Sequence, residues 1–233
     1  MTTPSTTPHT PAPAATSSSA EPRARAAGSL GASAVAFTRQ TWAGARVLLA
    51  LTAVLGIAYP LAVTAVGQLA FPWQANGSLL TADGDRATSP TRPGVIGSAL
   101  IGQTFDGAQW FQPRPSAAGN GYDTLASAGS NLGPYNADLL AMVAERRKAV
   151  AARDGVDPAQ VPADALTASA SGLDPDISPA YARLQIERIA AARGLPARDV
   201  AALVEETTQG RALVVLGESR VNVLRLNLAL TTM

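Results

Sequence analysis

The feature that most constrains this chain is a run of 25 residues without a charge, VLLALTAVLGIAYPLAVTAVGQLAF, from Val47 to Phe71. An α-helix rises about 1.5 Å per residue, so such a run more than crosses a hydrocarbon core of about 30 Å. The competing reading is a cleaved signal peptide, whose apolar core is about 7–15 residues long and sits close to the N-terminus. Here 46 residues precede the run, so an uncleaved anchor in contact with the lipid bilayer is expected.

Charge gives the orientation. Arg39 and Arg46 flank the N-terminal side, Arg23 and Arg25 lie further back, and the next charged residue after the run is Asp83. Basic residues in short flanks stay in the cytoplasm. The expected division is therefore a disordered cytoplasmic tail over residues 1–42, a transmembrane helix over 43–72 and an extracytoplasmic domain over 73–233. The tail begins MTTPSTTPHTPAPAATSSSA, which has too little apolar surface to offset its ordering entropy. Inside the span, Pro60 follows Tyr59 and lacks a helix donor, so a kink is expected. Gln68 puts an amide near the outer end, and Ala58 and Ala62 stand four apart on a face that permits close helix contact. These features point to a helix belonging to a complex, with Tyr59, Pro60 and Gln68 as candidate partner contacts.

Composition removes several chemistries. Cysteine is absent and His9 is the only histidine, which excludes disulfides, thiolate metal sites and a Ser-His-Asp triad. Catalysis would have to use carboxylates, the lone lysine Lys148, tyrosine or a bound metal. Residues 73–233 carry 14 basic and 16 acidic side chains, so no bulk charge points to nucleic acid.

The outside domain reads as α/β (α+β): a small sheet covered on one face by helices. Ala75–Gly94 reads as loops, and VIGSALIGQTF (Val95–Phe105) as a strand broken by glycines. In AQWFQPRPSAAGNGYD, Pro113 and Pro115 exclude a helix, and Trp110 and Phe111 read as core. A helix is expected from an Asn136 cap to Gly155, with Leu139, Leu140, Val143 and Val150 along its apolar stripe. A second runs from Ser178 to Gly194, with Tyr181, Leu184, Ile189 and Ala192 inward, and a third from Pro196 to Thr207. The alternation Leu224, Leu226, Leu228, Leu230 argues for a final strand, although Leu224 and Leu228 also sit four apart as in a helix.

Two stretches could hold chemistry. SGLDPDISP places Asp174 and Asp176 two apart, which suits acid–base work or a hard cation, but equally a turn and helix cap. NGYDTLASAGSNLGPYN (Asn120–Asn136) contains SAGSN, a glycine-rich segment without the lysine and hydroxyl of a Walker loop. These leave two enzymatic or binding alternatives, an anchored carboxylate-dependent hydrolase and an anchored nucleotide-binding module.

Several motifs in order then carry a resemblance: YPLAVT (Tyr59–Thr64), GSALIGQTF (Gly97–Phe105), WFQPRPSAAG (Trp110–Gly119), YDTLASAGSNLGP (Tyr122–Pro134), VPADALTASASGLDPDISP (Val161–Pro179) and RVNVLRLNLAL (Arg220–Leu230). Over residues 43–230 the chain resembles the C subunits of Kdp potassium-transporting ATPases, departing where FQPRPS lacks a glycine before Arg114. The resemblance implies a non-catalytic accessory subunit of a high-affinity potassium uptake complex. Its partners would be a channel-like subunit that selects potassium and a P-type subunit that hydrolyses ATP. The complex uses ATP, Mg2+ and K+, and no cofactor is expected on this chain itself. The resemblance also implies that the subunit stabilises the assembly and promotes ATP binding by the catalytic subunit, with SAGSN matching a stretch likened to a nucleotide signature loop. Within these motifs Gln103, Arg114, Tyr122, Ser130 and Asn131 are further candidate partner contacts. On the outer face, Asn120–Asn136 is then either a subunit contact or a fixed internal turn.

Overall fold

The computed structural model describes residues 23–233. They divide into two compact units, the first ending at Val63 and the second running from Thr64 to Met233. In the first, helix α1 spans Arg23–Leu51 and passes into a π-helical stretch, Thr52–Ala58, followed by the start of α2, Tyr59–Ala70, which ends in the second. The helix therefore starts well before residue 43, and residues 23–42 of the expected disordered tail are helical; residues 1–22 lie outside the described residues. Ser33–Ala70 is the one helical stretch, among the described residues, long and apolar enough to cross a membrane.

The expected kink takes the form of the π-helical stretch. Pro60 has no N–H to give to the turn before it, and the preceding backbone widens so that the Tyr59 N–H reaches back five residues to the Val54 carbonyl. Every side chain from Thr52 to Val66 is exposed, as a lipid- or helix-facing segment requires.

The second unit continues through a short helix α3 (Pro72–Ala75) into two antiparallel three-stranded sheets. In the first, β1 (Leu79–Thr81) lies between β2 (Arg86–Ala87) and β3 (Val95–Ser98), with a register shift between Leu80 and Thr81. In the second, β6 (Arg220–Asn222) lies between β4 (Asp176–Ile177) and β5 (Thr208–Gln209). The fold is thus one apolar helix plus helices and two small sheets, where the sequence pointed to one. The loops read over Ala75–Gly94 contain β1 and β2, whose strands are too short for alternation to register. The strand read over Val95–Phe105 stops at Ser98, because the chain turns there and the Gly102 N–H pairs instead with the Leu173 carbonyl.

Helix α4 (Ala137–Asp154) has the expected ends. The Asn136 side chain accepts from the Asp138 and Leu139 N–H groups, and Gly155 closes it in the left-handed conformation at φ 68°. Leu139, Val143 and Val150 face inward, but Leu140 is exposed, since one residue along a helix turns its side chain about 100° off the stripe. The helix expected from Ser178 to Gly194 is two, α5 (Pro179–Leu184) and α6 (Ile186–Arg193), and Ala192 is exposed. Helix α7 (Ala197–Thr207) buries Val200 and Val204.

The final leucine run is a helix, α8 (Val223–Leu230), and not a strand. The Asn222 side chain accepts from the Arg225 N–H and starts the first turn. Val223, Leu226, Asn227 and Leu230 then form the buried stripe at spacings of three and four. The main core joins Val223, Leu226 and Leu230 to Phe111, Val150, Leu166, Ile177, Tyr181, Ile189 and Val204; a smaller cluster gathers Leu80, Ala99 and Leu224.

Candidate functional site

The segment Phe111–Ser116, which follows a turn at Ala108–Gln109, pairs with no strand, and Pro113 and Pro115 supply no N–H for a central ladder. Two buried side-chain amides take the place of a neighbouring strand. Asn227 accepts from the Phe111 N–H at 2.9 Å and donates to the Phe111 carbonyl at 3.0 Å. Gln185 accepts from the Gln112 N–H at 2.7 Å and donates to the Gln112 carbonyl at 3.2 Å. Gln185 sits in the break between α5 and α6, so that break places its amide.

Arginines brace the turn that leads into this segment. Arg188 donates to the carbonyls of Ala108 and Trp110 and to Gln185. Arg193 donates to the Gln109 carbonyl and lies over the Trp110 ring at 4.5 Å. The Asp154 carboxylate, wholly removed from solvent, holds Arg188 at 2.6 Å and Arg153 at 2.6 Å. Arg153 also donates to the Tyr181 hydroxyl; burial, opposed by Arg153, pushes the Tyr181 phenol above its ordinary pKa.

Beyond Pro113 the chain meets the Thr167–Asp176 loop. Arg114 donates to the Thr167 carbonyl and pairs with Asp174 at 2.8 Å. The Tyr122 hydroxyl donates to the Arg114 carbonyl at 2.6 Å, and burial followed by the nearby Asp174 raises its pKa. The Ser116 hydroxyl donates to the Gly172 carbonyl and accepts from the Ala118 and Tyr122 N–H groups. Two glycines are required by this closeness. A Cβ on Gly102 would lie 2.6 Å from the Asp174 carbonyl, and one on Gly172, at φ +67°, would lie 2.6 Å from the Ala128 carbonyl.

A cleft of about 470 Å³ opens beside this framework, lined by Phe105, Gln112, Arg114, Tyr122, Arg146 and Arg153 among others. Its guanidinium groups are already engaged: Arg146 donates to the Leu166 carbonyl, and Arg114 and Arg153 hold the partners given above. Asp174 and Asp176 line one smaller cleft, but each is tied to an arginine. Asp176 pairs with Arg220 at 3.0 Å and accepts from Asn222, while the Asp174 carboxylate also accepts from the Asp176 N–H. Burial, partly offset by Asn222 and Arg220, still holds the Asp176 carboxyl above its usual range. SAGSN does not open a helix: six residues separate Ser130 from Ala137, where α4 begins. A phosphate cradle needs loop N–H groups and a helix N-terminus converging on one point. Among the described residues no group of three or more His, Cys, Asp or Glu side chains is placed to hold a metal.

The family model described as the K+-transporting ATPase, c chain, matches residues 41–232. The chain belongs to the KdpC family. A potassium-transporting ATPase KdpC subunit of Kineococcus radiotolerans is 59% identical over 192 residues, covering 82% of this chain and 93% of the relative. Proteins of the same name from Mycobacterium bovis and Gemmatimonas aurantiaca are each 54% identical, covering 82% and 79% of this chain and 97% and 88% of the relatives. The chain is thus a KdpC-type subunit of a membrane complex for potassium transport, with one candidate membrane-spanning helix.

On this KdpC framework the eight candidate contact residues fall into two groups. Gln68 exchanges hydrogen bonds with Asn76, Gln103 donates to the Ile96 carbonyl, and Arg114 and Tyr122 brace the loop. Tyr59, Pro60, Ser130 and Asn131 are exposed. The buried residues that organise the site, Gln185, Asn227 and Asp154, were not singled out from the sequence. The available signal was a glutamine and an asparagine set in otherwise apolar helical stripes.

Proposed function

We propose that this chain is the accessory, non-catalytic subunit of an ATP-driven potassium transporter. Its helix packs among the membrane helices of a channel-like and a P-type ATPase subunit, and its folded domain lies on the extracytoplasmic side and stabilises the assembly. The observation that carries this reading is the state of the polar groups in the domain. Asp154, Asp174 and Asp176 are each tied to arginine, and the cleft arginines to carbonyls or carboxylates, which leaves a braced scaffold and, among these groups, no free nucleophile–base pair. A rigid domain on a single span suits holding other subunits, whereas the hydrolase reading needs Asp174 or Asp176 unpaired.

An effect on ATP affinity would act from outside the membrane as a coupling between subunits, with ATP, Mg2+ and K+ handled by the partners. The test is affinity purification of the full chain from native membranes. A P-type ATPase and a channel-like protein co-isolate with it, and deletion of residues 73–233 loses or weakens that association. A deletion that leaves assembly and potassium uptake intact overturns the proposal, as does ATP hydrolysis by the chain purified alone.

A further inference from the structure

The loop between β5 and β6 presents Leu213, Val214, Val215 and Leu216 at 83%, 84%, 72% and 59% exposure. Soluble surfaces scatter such residues singly; four in succession on one loop mark a contact. We propose that this loop is a second membrane-contacting element, seating these four side chains at the boundary of headgroups and acyl chains in the bilayer that the chain's own helix crosses.

Three observations favour lipid as the occupant. The first is position along the fold. Gln209 and Arg220, the paired residues at the foot of the loop, line the same cavity as Trp73 and Gln74, and only Phe71 and Pro72 separate Trp73 from the end of α2. The foot of the hairpin thus lies beside the first residues to follow the apolar helix. The second is backbone pairing within the loop. Ala212 and Leu216 exchange both N–H···O=C bonds at 2.9 and 2.8 Å, and the Val214 N–H donates to the Arg211 carbonyl. An element entering an apolar solvent must satisfy its polar backbone from within. The third is side-chain chemistry. No polar side chain lies between Ala212 and Gly217, so the tip of the loop is wholly apolar, and the exposed polar side chains of Arg211, Glu218 and Ser219 stand only at its edges. Exposed Arg211 stands at its edge, where a guanidinium on an apolar stem can reach lipid phosphate.

The chain has no cysteine, so single sites can be labelled cleanly. Val214→Cys, Leu125→Cys and Leu61→Cys, each in the full chain, would carry an environment-sensitive fluorophore and be reconstituted alone into phosphatidylcholine–phosphatidylglycerol vesicles. Leu125, 96% exposed on a different loop, is the aqueous reference, and Leu61 the reference within the span. The expected result is a blue-shifted label at position 214, quenched by lipids with a nitroxide near the headgroup and shielded from iodide. The label at 125 should respond only to iodide. A label at 214 that behaves like the one at 125 overturns the proposal, and so does a label at 61 that lipid nitroxides fail to quench. Shielding at 214 that appears only after the transporter's other subunits are added also overturns it, and assigns the loop to a protein partner. None of these outcomes depends on the accessory role proposed above.

Discussion

Gln185, in the break between α5 and α6, and Asn227, within α8, occupy buried positions that would ordinarily be filled by leucine, and each does what a strand edge does elsewhere. A buried peptide group left unpaired loses roughly 1–3 kcal/mol. Asn227→Leu keeps the volume but strands both the Phe111 N–H and its carbonyl, so a loss of about 2–5 kcal/mol is expected from those two groups. Urea unfolding of the detergent-solubilised full chain, followed by tryptophan fluorescence, measures it; a loss below about 1 kcal/mol would mean that water replaces the amide. Asp176 gives a prediction of opposite sign. Its folded-state pKa is raised, chiefly by burial, so its ionised form is disfavoured by folding. The associated stability is fully present below the unfolded carboxylate pKa and is lost as pH rises through the folded value. Asp176→Asn retains an oxygen for Asn222 and leaves Arg220, about half exposed, to solvent. The variant should melt at or above the parent at neutral pH, and that advantage should fade on acidification. A melting point several degrees lower at neutral pH would show that the Arg220 pair outweighs the burial.

At the scale of elements, the helices with strong end signals were legible from sequence. Asn136 and Gly155 bound α4, and Ser178 accepts from the Tyr181 N–H as a cap. Those signals act over one turn and need no tertiary partner. Two things were not legible. The break at Gln185 exists because its amide serves Gln112, 73 residues away, and no local pattern encodes that distance. The leucine run from 224 to 230 satisfies both a period of two and a spacing of four, so its pattern cannot choose; the Asn222 cap and the demands of the core do. Substitutions separate the two geometries. In a strand, Val223 would face away from Leu224 and Leu226, and its loss would matter little. In α8, Val223 and Leu226 are both buried, so Leu226→Ala is expected to cost about 2–5 kcal/mol. Val223→Ala should cost about 1–3 kcal/mol, in keeping with a buried branched side chain. Leu228→Ala, at a half-buried position, should cost less than Leu226→Ala. Equal losses at 224, 226, 228 and 230 with none at 223 would restore the strand.

For the whole molecule, the decisive quantity is the side of the membrane on which the domain stands, because ATP is found on only one. Arg39 and Arg46 precede the apolar run, and no charge follows it until Asp83. That asymmetry favours a cytoplasmic N-terminus; in the orientation proposed above, the domain, cleft and SAGSN loop alike would stand away from cytoplasmic nucleotide. Under that proposal, any coupling to ATP affinity would pass through helix packing, where the π-helical turn ahead of Pro60 and the exposed Tyr59 are the features a neighbouring helix would meet. Leu125→Cys and Gln40→Cys test the orientation, since both positions are exposed and the parent chain offers no competing thiol. In intact cells a membrane-impermeant maleimide should label position 125 and spare position 40 until the membrane is permeabilised. In the complex, the ATP concentration for half-maximal hydrolysis should then change with substitutions at Tyr59 and Pro60 but not at Ser130 or Asn131. The reverse labelling pattern would place the domain beside ATP, make direct contact at the SAGSN loop the better reading, and transfer the sensitivity to Ser130 and Asn131.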